Sequence, residues 1–149
     1  MATHLWFFYA LASSVLWGFS YALSEKLLKG ALTPVFYMTF TGACSLVITL
    51  SLCLYQGKMA QGLQTLIEQP KTLLIALVTT TCFVLGNLLI YMSISLKNAT
   101  LANTIEITYP LFTLFFAFLL YREAQLNGWT AIGCLLILSG VVLIVSKNG

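Results

Sequence analysis

Glu106 is the residue whose type and setting most plainly suggest chemistry. It is the one charge between Asn98 and Tyr121, a stretch otherwise built of Leu, Phe, Thr and other uncharged residues. An ionisable side chain in so apolar a run is costly to bury and by default marks a substrate or ion pathway. A carboxyl placed there could exchange a proton against a solute. Asn103, Glu106, Pro110 and Thr113 step by three, four and three, which puts them on one helix face. Pro110 has no N–H for the carbonyl of residue 106, so that carbonyl is freed beside the carboxyl of the same residue. Two plainer accounts stand beside this one. Glu106 lies within about two turns of Lys97, near enough to an interface to meet water or a partner there and do no more. Pro110 would then be an ordinary packing kink.

Other polar and aromatic residues recur at helical spacing. Ser13, Trp17, Ser20, Tyr21 and Ser24 share a face that could line a cavity for an amphipathic or cationic solute, or simply pack. Ala10, Ser14, Gly18 and Ala22 recur every fourth residue, a seam of small side chains that lets another backbone come close. Gly133 and Gly140, seven apart, suggest a similar packing face. Asn87 and Tyr91 share a face with Thr80, and an Asn in an apolar helix serves either as interhelical glue or as a substrate contact. No catalytic set is visible, with no Asp, no Gly-rich phosphate loop and no nucleophile beside a base, so an enzyme is not expected. His4 has no second His to join it in a metal site, and Cys44, Cys53, Cys82 and Cys134 are scattered as small apolar residues. Neither a metal nor a cofactor is expected.

The elements that must position these residues follow from composition. The chain of 149 residues is 60% hydrophobic and 7% charged, against about 45–50% and about 25% in soluble domains. Its mean hydropathy is +0.96. That excludes a water-soluble enzyme and a disordered chain, and without a Lys/Arg cluster no nucleic-acid partner is expected. The class predicted is an all-α integral membrane protein whose partner is the lipid bilayer. The charges delimit five runs of spanning length, with spans predicted at about 5–24, 34–54, 72–95, 100–120 and 128–146 in a single domain over 1–149. Thr33-Pro34 suits the start of the second helix. Between the second and third spans, Met59, Leu63, Leu66 and Ile67 alternate with polar residues at helical spacing, predicting an amphipathic surface segment at about 57–69. No cleavable signal peptide is expected, since Met1–His4 carries no Lys or Arg and the run after it is long enough to span.

Five spans place the termini on opposite sides. One side then holds Lys58, Lys71 and Arg122, and the other Lys26, Lys29, Lys97 and Lys147, three against four. The positive-inside rule needs an imbalance to fix orientation. Either other factors set a single orientation, or copies insert both ways and pair antiparallel.

Two stretches carry a resemblance. Leu16-Trp17-Gly18-Phe19-Ser20 followed by Lys26 resembles one motif, and Asn103–Lys147 resembles another, with Pro110 in mid-helix, Glu123 after that helix and Gly128, Gly133 and Gly140 in the last. Together they are similar to the EamA-like family of the drug/metabolite transporter superfamily, over essentially the whole chain. The resemblance implies a multi-pass protein of the cell (inner) membrane that exports small organic metabolites or drugs. Typical members have two inverted five-helix repeats with the substrate site between them. One repeat is present here, so the resemblance implies completion by an antiparallel homodimer. The related four-span exporters use a Glu within the first helix. Glu25 is expected at the end of that helix, so any proton coupling is assigned to Glu106. Trp17, Tyr21, Asn87, Tyr91, Asn103, Glu106 and Tyr109 are the expected pathway residues. The alternatives are a half-subunit of a heteromeric transporter or lipid-linked-sugar flippase, and a non-transporting membrane assembly subunit.

Overall fold

A computed structural model of the chain describes residues 5–122 and 128–148. His4 and Glu123 lie outside the described residues, as does the beginning of the fifth uncharged run. Every regular element among the described residues is helical: α1 (Leu5–Gly30), α2 (Pro34–Tyr55), α3 (Met59–Glu68), α4 (Pro70–Leu96), α5 (Ala99–Glu106), α6 (Tyr109–Tyr121) and α7 (Gly128–Asn148). Four single helices and the α5–α6 pair give five segments long and apolar enough to cross a membrane. Their large apolar side chains, from Phe19 and Leu46 to Leu85, Phe118 and Leu136, are mostly exposed. Water would not tolerate so much uncovered apolar surface, whereas lipid calls for it.

Local chemistry explains the boundaries. Thr33 is extended and its hydroxyl accepts from the Phe36 N–H, with Pro34 at the first helical position, where its missing N–H costs nothing. After α2, Gly57 takes a left-handed φ of 65°, which glycine adopts without strain, and the chain turns into α3. Arg122 closes α6 in the same left-handed region, at φ 56°.

The described residues divide into two compact units. The first takes α1 through Glu25 and all that is described from Leu96 onward. Its buried residues are Tyr21 and Ser24 on α1 and Ala99 and Ala102 on α5, and α5 also packs against α7. The second takes Lys26–Ser95. In it Tyr37 of α2 and Tyr91 of α4 are both buried and meet edge to face at 4.9 Å between centroids. Its α3 keeps no buried residue, and Leu63 and Ile67 stay exposed.

Candidate functional site

The first unit assembles the site from α1 and α5. Trp17, Tyr21 and Glu25 recur every fourth residue of α1 and so stack along one face. The rings of Trp17 and Tyr21 lie 5.4 Å apart at 37°, with Tyr21 buried and Trp17 still 41% exposed. From there the Tyr21 hydroxyl donates to Glu106 Oε1 across 3.1 Å. Ser24, fully buried, donates to the Tyr21 carbonyl at 2.9 Å. The carboxyl is thus held by a residue 85 positions away, and Glu106 is half-buried rather than open to solvent.

One turn beyond Tyr21, Glu25 does a different job. Its Oε2 accepts the Ala99 N–H at 2.7 Å, while Asn98 Oδ1 accepts the Leu101 N–H at 2.8 Å. Two of the orphan amides that begin α5 are satisfied in this way, one of them by a carboxylate at the positive end of the helix. The expectation that the first helix closes near Ser24 and contains no acid is corrected here, because α1 runs on to Gly30 with Glu25 inside it. Charges end an apolar run, but Lys26, Leu27, Leu28 and Lys29 are good helix formers, and only Gly30 and the Thr33-Pro34 start signal stop them. Glu25→Ala is expected to cost about 1.5–3 kcal/mol, the range for a hydrogen bond to a charged group. Thermal unfolding of the purified protein should show a lower midpoint, and Glu25→Gln, which keeps an acceptor, should lose less.

Below Glu106 the spanning segment breaks. Ile107 and Thr108 have ψ of −7° and −10°, short of the regular helical value, and α6 begins only at Tyr109. Thr108 and Leu111 donate three residues back, to the carbonyls of Ile105 and Thr108, at 3.1 and 3.0 Å. Pro110, second residue of α6, has no N–H to offer the Glu106 carbonyl. The face expected to run unbroken from Asn103 to Thr113 is therefore divided, with Asn103 and Glu106 on α5 and Pro110 and Thr113 on α6. Asn103 sits one turn before Glu106, and its Oδ1 is buried without a hydrogen-bond partner among the described residues. An acceptor left so costs about 1–3 kcal/mol. The end of α5 thus carries three kinds of oxygen: a carboxylate, a side-chain amide oxygen and a carbonyl that proline leaves open.

The remaining predicted residues stand elsewhere. Tyr109 opens α6 and is exposed. Asn87 and Tyr91 belong to the second unit, where the Asn87 amide donates to the Phe83 carbonyl at 2.9 Å and Tyr91 packs on Tyr37. Ser14 donates to the Ala10 carbonyl at 3.0 Å. Gly18, Gly133 and Gly140 have open space where a Cβ would lie, and Ala22 is exposed, so both small-residue seams face outward. Glu25 is the site residue that spacing alone did not reveal. Its signal lay in the two charges that end the first apolar run and the Asn98 cap of the helix they meet.

The model of the EamA-like transporter family matches residues 4–146. No curated protein and no solved structure gives a match.

Proposed function

The chain belongs to the EamA-like transporter family, and from that premise we propose that it exports small organic solutes with Glu106 as the exchanging group. The observation carrying this reading is the Tyr21–Glu106 hydrogen bond at a break in a spanning segment. An intramembrane carboxyl held by a hydroxyl, next to backbone that leaves regular helical geometry, is suited to hold a proton and a solute in alternation. Asn103, Pro110, Trp17 and Tyr109 are the other pathway residues of the first unit in this reading. Asn87 and Tyr91 are assigned a pathway role on the second unit.

The working form we propose is a homodimer of oppositely inserted copies. It is supported by the three-against-four division of Lys and Arg, which gives neither orientation an advantage. The outward seams of Ser14, Gly18 and Ala22, and of Gly133 and Gly140, are the surfaces assigned to helix packing against the second copy. We also assign α3 to the membrane surface, with Met59, Leu63, Leu66 and Ile67 toward the acyl chains.

A single tagged form of the protein, expressed alone, tests the arrangement. A C-terminal reporter is expected on both faces of the membrane in comparable amounts. A reporter confined to one face would remove the antiparallel homodimer and leave a heteromer as the alternative. Uptake into vesicles of purified protein under an imposed pH gradient tests transport itself. A protein that moves neither solute nor protons would be an assembly subunit.

A further inference from the structure

We infer that the end of α5 is a recognition site for an organic ammonium bearing N–H donors on an aromatic or apolar body. The inference deepens the proposed role of Glu106 and rests on it, adding the class of solute. Four features point the same way. Glu106 has no ion-pair partner among the described residues, and its one hydrogen bond comes from the neutral Tyr21 hydroxyl. A half-buried carboxyl so placed is completed by a proton or by a cation. At the same point the chain leaves α5 with a carbonyl, that of Glu106, for which Pro110 has no N–H. Trp17, stacked on Tyr21 and partly exposed, offers a ring face of the kind that attracts a cation or covers an aromatic body.

The fourth feature decides between kinds of cation. Asn103 Oδ1 is a buried acceptor with no donor among the described residues, one turn from Glu106 on the same helix. A quaternary ammonium has charge but no N–H, so it would satisfy the carboxylate and the rings while leaving this oxygen unpaired. A primary ammonium has three N–H groups, enough for Glu106 and Asn103 together. Sites that hydrogen-bond a ligand donor reject analogues lacking it, because the buried acceptor is then stranded. The Glu106 carbonyl, which Pro110 cannot engage, is a further acceptor within the same turn.

The test is titration calorimetry on the purified full chain in lipid nanodiscs, with phenethylammonium, its N,N,N-trimethyl analogue and sodium as probes. The expected result is tighter binding of the primary ammonium than of the trimethyl analogue by about tenfold or more, the scale of one hydrogen bond to a charged group. Asn103→Ala should shrink that preference severalfold without abolishing it, since N–H bonds to Glu106 remain, while Trp17→Ala should weaken both alike. Equal or tighter binding of the trimethyl analogue to the unaltered protein overturns the inference, and that comparison needs no variant. So does a preference that Asn103→Ala leaves undiminished, or displacement of the amine by millimolar sodium, which would make this a metal-ion site. Failure of the two readings can be told apart. Amine binding without uptake in vesicles would sink the transporter role and leave the ammonium site. Uptake that depends on Glu106, in a protein that binds no amine, would sink the ammonium site alone.

Discussion

Glu106→Gln is expected to abolish gradient-driven transport while leaving the fold in place. Glutamine keeps the length of the side chain and a carbonyl oxygen that can accept from the Tyr21 hydroxyl, the one hydrogen bond seen at this carboxyl. It removes the negative charge and the ability to take up and release a proton. A hydrogen bond to a charged partner contributes about 1.5–3 kcal/mol, so cationic solute affinity should fall about 10–150-fold. Coupling should fail altogether, because a carboxamide does not ionise and so cannot alternate between charged and neutral forms. Two measurements separate this from loss of structure. The thermal unfolding midpoint should stay close to that of the unaltered protein, and proton movement accompanying solute should vanish rather than diminish in step with uptake. Undiminished uptake and proton flux in the glutamine variant would reduce Glu106 to a packing group near the interface.

The prominence of Glu106 in sequence comes from contrast, since a single charge in an apolar run is visible without any structure. The same contrast made the five spans legible, because in lipid every backbone polar group must be satisfied within its own helix. Thr33-Pro34 and the Met59–Ile67 pattern were legible for local reasons, a cap and a period. What escaped were facts about helices as opposed to spans. The first apolar run ends at Glu25-Lys26, but nothing there breaks a helix, so α1 carries Glu25 onward to the start of α5. Partners far apart in the chain were equally invisible. That Tyr21 serves Glu106 and Glu25 serves Ala99 depends on how α1 lies against α5, which no spacing within either helix encodes. Asn103 was picked out for sharing a face with Glu106, yet its unpaired Oδ1 is a property of what surrounds it. Pro110 foretold a disturbed hydrogen bond, but a kink and a break have the same sequence.

Pro110→Ala should distinguish those two and is expected to change stability and transport in opposite directions. A proline in a helix interior costs about 3 kcal/mol, through a lost hydrogen bond and a clash with the preceding turn. The chain escapes that penalty by ending α5 at Glu106 and restarting at Tyr109, so that Pro110 falls in a first turn, where it is tolerated. The escape is paid in irregular backbone at Ile107 and Thr108 within a segment that must cross the membrane. Alanine restores an N–H opposite the Glu106 carbonyl and favours one helix from Ala99 to Tyr121. Stability should rise by about 1–3 kcal/mol, in line with the Pro-to-Ala difference in helix preference. Amide exchange at Thr108 and Leu111 should slow as their bonds lengthen from three residues to four. Transport should fall in the same variant, since the irregular turn beside Glu106 is gone and the Glu106 carbonyl is occupied. If exchange at these two amides and the unfolding midpoint both stay unchanged, the break is imposed by packing around α5, and Pro110 merely occupies it.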